Sequence, residues 1–411
     1  MKNITGYPVT DEDFLKTRIF LVEELKELLR YCSVIIEAPR RFGKTSVIKE
    51  FKRQEETKKM KEREFNILFF ELEGEETLHD FCFKLYKELL NLYWIRKKIN
   101  ALKKFFGDSW NVLASKLKKL KLSDFELELR EQTRDYSFSK WKEKITPLIT
   151  DLNSFDKITI IALDEFPDML MNFRKKEPDT LSFKNLTDGL TAWLRSMRQI
   201  QTGGCKYQFV FSGSIHLRTT LEDMGISKRI NDLEPYAIPP INKKDARLLI
   251  ELLTEKYNLQ IEEDGVTFMV SKITDGSLYY GQILVTSLRE TRDKQFSLDR
   301  IKSIYESMLR RGKHDLDHYH SRLETYLSHI ERDCTETILK HLCSEAAHEK
   351  EIYDLLLREK CTYEMFQSVV NRLIYEGYIT RDINNEGKLR FMAPILKDWW
   401  GCKKGVNHVH I

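Results

Sequence analysis

At 411 residues the chain is too long for one ordinary hydrophobic core, so two or three domains are expected. Charged residues make up 32% and hydrophobic residues 41%, a balance that suits a soluble, helix-rich protein. The net charge of +4, small against 68 basic and 64 acidic residues, gives no global case for a nucleic-acid or membrane partner. The seven cysteines include no Cys-x-x-Cys pair, which argues against a disulfide framework or a zinc knuckle. No signal-like apolar stretch opens the sequence, and the longest apolar run, 158–163, is far below membrane-spanning length. A cytoplasmic location is the expectation.

Residues 11–30 carry Phe14, Ile19, Val22, Leu25, Leu28 and Leu29 near helical spacing, and 32–37 is a β-branched run that predicts a strand. A helix is expected from Thr45 to about Lys59, a strand over 65–72 and a helix over 78–93. The stretch 96–121 then holds nine Lys/Arg against one acid, Asp108, with Phe105, Phe106 and Trp110 interleaved. Alternation of Phe125, Leu127 and Leu129 predicts a half-buried strand. A helix over 138–152, a buried strand over 157–163, a helix over 183–199 and a strand over 208–211 follow. This alternation predicts a parallel α/β sheet up to about residue 238, where Pro235, Pro239 and Pro240 mark a change of regime.

From about 242 to 332 the pattern is helical: 243–257, 265–274, 279–292, 297–309 and 314–332. Three shorter helices, 335–344, 351–358 and 362–376, precede two short strands around the turn at 384–387. That order is the order of a winged helix. The expected organisation is therefore a core over 1–238 with a basic insertion at 96–121, a helical lid and connector over 239–332, and a winged helix over 333–411.

Two motifs carry chemistry. Residues 38–46 read Ala38, Pro39, Arg40, Arg41, Phe42, Gly43, Lys44, Thr45 and Ser46, between a predicted strand and a predicted helix. They match the G-x-x-x-x-G-K-[ST] phosphate-binding pattern, with Ala38 in place of the first Gly. Gly43 lets the backbone approach the phosphates of ATP, Lys44 reaches the β and γ oxygens, and the Thr45 hydroxyl ligates Mg²⁺. About 120 residues on, the strand at 157–163 delivers Asp164 and Glu165 at its tip. The first acid suits Mg²⁺ and its waters, and the second suits polarising the attacking water.

Ser212-Gly213-Ser214 follows the 208–211 strand, so a hydroxyl there, Ser214 above all, either senses the γ-phosphate or positions water, or is that of an ordinary turn serine. Arg229 is either an arginine finger or a surface arginine. His314 and His318 have i, i+4 spacing, with His320 nearby, but no third metal ligand is evident, and a surface helix is the expectation.

At these residues the chain resembles the archaeal-type ATPases of the signal-transducing branch of the AAA+ superfamily. The resemblance takes in Asp13, Phe14 and Arg18, the 39–46 loop, Leu163 to Phe166, and Phe211 to Ser214. It also takes in Arg229, the motif Asp275-Gly276-Ser277-Leu278-Tyr279-Tyr280, and residues 393–400. Lys228 stands where members often carry Gly, and Leu278 where Pro is common. The resemblance implies an ATP-binding core, a helical lid, and a winged helix that responds to nucleotide state.

Residues 331–400 hold 10 Lys/Arg and 13 Asp/Glu, a poor balance for gripping duplex DNA, so a protein partner for the winged helix and lid is the expectation. The basic stretch 96–121 either binds single-stranded nucleic acid or is an amphipathic insertion with solvated lysines. The function read from the sequence is a Mg-ATP-driven switch on a protein partner, possible as a nucleotide-dependent oligomer. The alternatives are a DNA-handling ATPase, similar to replication initiators or transposition regulators, and a tight ATP-binding scaffold with little turnover.

Overall fold

The computed structural model describes Phe14 and residues 16–95, 122–177, 179–199, 206–213, 217–310, 316–317, 319–320, 323, 327–357, 361–382 and 385–405. The basic stretch 96–121, Ser214, His314 and His318 lie outside the described residues. The chain divides into two compact units. One joins residues 22–37 to 51–236, and the other joins the described residues of 1–21, 38–50 and 237–411.

The first unit is built on five strands, β1 (Val34–Glu37), β2 (Phe65–Glu71), β3 (Ile158–Asp164), β4 (Tyr207–Phe211) and β5 (Glu234–Ala237), in the order β2-β3-β4-β1-β5. β2 and β4 both run parallel to β3, with Phe65 opposite Ile158 and Phe209 opposite Ile161, and β1 runs parallel to β4 with Val34 opposite Val210. A parallel sheet is covered on both faces, so its strands must be apolar on both sides. That is why β3 reads as an unbroken apolar run and why Ile160, Ile161, Ala162 and Leu163 are sealed from solvent. Ser33 fastens β1 to β4, its hydroxyl donating to Gln208 Oε1 at 2.9 Å and accepting from the Phe209 amide at 2.9 Å.

Helices Leu78–Ile95, Phe138–Asp151, Phe166–Lys176 and Thr180–Gln199 supply the rest of this core. Trp141 is buried, with His79, Tyr136 and Tyr86 edge-on to it at 5.3, 5.0 and 5.7 Å. The strand expected around Phe125, Leu127 and Leu129 is instead part of a helix, Leu122–Thr133. Leu129 is 2% exposed and Leu127 65%, so the two alternating leucines do not share an environment. Residues two apart point to opposite sides of a helix, and apolar alternation over three positions is too short to separate the cases.

The second unit contains helices Lys243–Lys256, Glu263–Ile273, Leu278–Glu290 and Leu298–Arg310, then His329–Ser344, Glu349–Leu356 and Tyr363–Tyr375. An antiparallel hairpin, Ile379–Asp382 with Lys388–Phe391, leads to a last helix, Pro394–Lys404. One cluster of buried side chains runs from Ile241 to Trp400. Asp398 helps to bind it together, accepting from Lys272 Nζ at 2.7 Å and from the Tyr305 hydroxyl at 2.8 Å. Burial, with Asp398 alongside, pushes the Tyr305 hydroxyl well above its ordinary pKa. The helix expected over 314–332 does not continue to Arg332, because a new helix starts at His329. Ser328 caps it: its hydroxyl accepts from the Glu331 amide and the Glu331 carboxylate accepts from the Ser328 amide, a reciprocal capping box.

Candidate active site

The phosphate loop belongs to the second unit. It follows β1 directly in sequence and ends at the helix Lys44–Thr57. Two of its residues adopt left-handed backbone, Arg41 with φ 67° and Gly43 with φ 91°. Left-handed residues set among right-handed ones turn successive N–H groups into a concavity that takes an anion. At Gly43 the conformation is what requires glycine, since the nearest atom to an added Cβ would be 3.9 Å away. Lys44 is 5% exposed, and its ammonium donates to the carbonyls of Ala38 at 2.6 Å and Pro39 at 2.9 Å. The cation is thus held over the loop by the loop's own carbonyls.

The loop is also gripped by residues far downstream. The Arg41 guanidinium lies over the Tyr279 ring, 3.8 Å from its centroid. At the other shoulder an added Cβ on Gly377, which has φ 80°, would come within 2.6 Å of Pro39 Cβ. Tyr279 belongs to the motif 275–280, where Asp275 is left-handed with φ 64°. Backbone bonds pin that motif to Ile241, with Asp275 N to Ile241 O at 2.9 Å and Ile241 N to Gly276 O at 3.0 Å. Arg390 of the hairpin reaches Asp275 at 3.1 Å and Asp382 at 3.2 Å. Arg18 donates to the Pro239 carbonyl at 2.8 Å and contacts Asp245 at 3.4 Å.

The acidic pair lies in the first unit. Asp164 ends β3 and is 1% exposed. Glu165 then turns the chain in a single left-handed residue, φ 57°, into the helix Phe166–Lys176. A non-glycine residue there persists only where its surroundings fix it. Here Phe166 is buried, with Phe211 at 5.2 Å and Phe81 at 6.3 Å, and Pro167 presets the first helical turn. The neighbouring strand end completes the hold. Ser212 donates its amide to Leu163 O at 3.1 Å, accepts from the Phe166 amide at 3.0 Å, and donates its hydroxyl to Asp164 Oδ1. Of the two serines in the 212–214 turn, Ser214 lies outside the described residues, and Ser212 is the one that the adjacency of β3 and β4 brings to Asp164.

Arg229, in the short turn Ser227–Ile230, forms a two-pronged pair with Asp188, Nε to Oδ1 at 2.7 Å and Nη2 to Oδ2 at 2.9 Å. That hydrogen bond holds the Asp188 carboxyl below its ordinary pKa and raises the guanidinium. Arg198 fixes the same turn, donating to Asp232 at 2.7 Å and to the Arg229 carbonyl at 2.8 Å. Of the three histidines, His320 is described, with its ring 5.9 Å from that of Trp400. No cluster of three or more metal-ligating side chains occurs among the described residues.

No protein-family model matches the chain, and no curated protein matches it. Solved structures do. The Walker-type ATPase PABY2304 of Pyrococcus abyssi aligns over 97% of this chain and 99% of its own, with a TM-score of 0.56 at 15% identity. The ORC2 protein of Aeropyrum pernix, solved in ADPNP–ADP complexes, aligns over 96% of each chain, with a TM-score of 0.52 at 13% identity. The chain has the AAA+ P-loop fold. The sheet is the five-stranded one described above, and the described C-terminal region is mainly helical. No described helix is long and apolar enough to cross a membrane.

Proposed function

We propose that the chain is a Mg-dependent ATPase that acts as a nucleotide-driven switch on a protein partner. The observation that carries this reading is the Asp164–Glu165 turn. A left-handed glutamate is fixed by Phe166 and Ser212, beside an aspartate buried at the carboxyl end of a parallel strand. In such sheets ligands bind outside the carboxyl ends of the strands, and the phosphate loop follows directly from the carboxyl end of β1. Lys44 would leave the Ala38 and Pro39 carbonyls for the β and γ oxygens of ATP, with the loop's N–H groups around them.

The Thr45 hydroxyl and the Asp164 carboxylate are hard oxygen donors, the set that suits Mg²⁺. Bound Mg²⁺ would neutralise charge on the phosphates. The Ser212 hydroxyl orients Asp164 for that task, and Glu165 accepts a proton from the attacking water. For Arg229 to stabilise transition-state charge, its pair with Asp188 has to open. The three helices and hairpin over 329–391 are read as a winged helix that presents the partner surface.

The second reading, a DNA-handling ATPase, rests on the basic, aromatic stretch 96–121. The hairpin speaks against duplex DNA: Arg381 is paired with Glu349 at 2.8 Å, and Arg390 with Asp275 and Asp382. Phosphate release with Mg-ATP, measured beside Lys44→Ala and Glu165→Gln and with and without single- and double-stranded DNA, tests both. Turnover lost in both variants is expected. Equal turnover in all three proteins overturns the assignment, and stimulation by DNA favours the second reading.

A further inference from the structure

The phosphate-loop pattern accounts for Gly43, Lys44 and Thr45 but assigns nothing to Arg41, whose conformation is the most unusual in the loop. Its backbone is left-handed at φ 67°, a region a non-glycine residue occupies at a cost. Something must hold it there, and the structure supplies a specific group. The Tyr279 ring is 3% exposed, and the Arg41 guanidinium rests 3.8 Å from its centroid. The ring is itself fixed, with Tyr280 at 6.1 Å and the 275–280 backbone bonded to Ile241.

A guanidinium stacked on a ring uses its face and leaves its N–H donors in the plane. The Arg41 Nε is buried and has no hydrogen-bond partner among the described residues. A donor in that condition, within a loop built to take phosphate, suits an anionic oxygen.

We propose that Tyr279 is a positioning residue of the nucleotide site: it seats Arg41 so that the guanidinium meets the terminal phosphate of a nucleoside triphosphate. The inference rests on the ATPase reading and adds a residue from the 275–280 motif to it. A flat aromatic face is what the seat requires, so phenylalanine serves in place of tyrosine, while leucine, which is apolar but has no ring, does not.

The test is equilibrium binding of fluorescent ATP and ADP analogues to native protein and to Lys44→Ala, Tyr279→Leu, Tyr279→Phe, Arg41→Met and Tyr279→Leu/Arg41→Met. Thermal unfolding of each variant identifies those that fold. Tyr279→Leu is expected to weaken the triphosphate analogue about fivefold, the scale of a partly buried cation–π contact, and the diphosphate analogue less. Tyr279→Phe is expected to bind as the native protein does. Arg41→Met is expected to show the same selective loss, and the double variant no more than Arg41→Met alone. Native affinity in a folded Tyr279→Leu, an equal loss for both analogues, or additive losses in the double variant would each overturn the proposal. Should Tyr279→Leu fail to fold, Arg41→Met decides: native triphosphate affinity there refutes the role. Failure of the native protein to bind either analogue, or undiminished binding by Lys44→Ala, counts against the ATPase reading instead.

Discussion

The two chemistry-bearing turns are held in opposite ways. The Asp164–Glu165 turn is stabilised by its own sheet: Phe166 and Phe211 stack edge-on, and Ser212 at the neighbouring strand end supplies three hydrogen bonds. The phosphate loop is stabilised by distant chain: Tyr279 under Arg41 and Gly377 against Pro39. Both turns contain a non-glycine residue in left-handed backbone. The acid turn is therefore expected to be indifferent to the state of the C-terminal region, and the phosphate loop sensitive to it.

The sharpest test of the acid turn is Glu165→Gln, expected to lower turnover by about 10²–10⁴-fold, the range of a lost general base, while nucleotide affinity stays native. A parallel loss of affinity would mean that the turn itself had moved. Ser212→Ala comes next. On the proposed role of Asp164 as a Mg²⁺ ligand, removing its hydrogen bond from Ser212 is expected to raise the Mg²⁺ needed for half-maximal activity roughly tenfold or more. An unchanged Mg²⁺ requirement would remove Ser212 from the site.

For the phosphate loop, Gly377→Ala and Gly43→Ala form a pair. Both force an L side chain into left-handed backbone, but an added Cβ has room at Gly43 and meets Pro39 at 2.6 Å at Gly377. Gly43→Ala is expected to cost about 1–2 kcal/mol by urea unfolding. Gly377→Ala should cost more and should also weaken ATP binding. Equal costs would show that the Pro39 contact yields easily.

The smallest effect belongs to Arg229→Met. The Asp188 side chain is about a third exposed, so solvent screening keeps the pair under about 1 kcal/mol. Because Arg229 holds the folded-state pKa of Asp188 below its unfolded value, the contribution is full above the ordinary aspartate range and is lost as pH falls through the lowered value. The stability gap between native and Arg229→Met should therefore close in acid.

The sequence makes local chemistry legible. The 39–46 loop, the apolar strand that ends in Asp164 and Glu165, and the alternation of strands and helices can all be read from contiguous residues. A short pattern fits two structures at Phe125, Leu127 and Leu129, where three alternating positions suit a strand and a helix alike. The helix start at His329 is written locally, since Ser328 and Glu331 show the Ser-x-x-Glu spacing of a capping box. What no local pattern can convey is adjacency. Ser212 matters because β4 lies beside β3, and Tyr279 matters because the chain returns to Arg41 after more than two hundred residues.

The grip of Gly377 on Pro39 has a bearing on how the protein is made. A ribosome adding about 5–20 residues per second would release Pro39 roughly 17–70 s before Gly377. The phosphate loop therefore emerges well before the hairpin-side residue that packs against it. A nascent chain stalled before the hairpin would carry every residue of the motif with one shoulder of the loop unsupported.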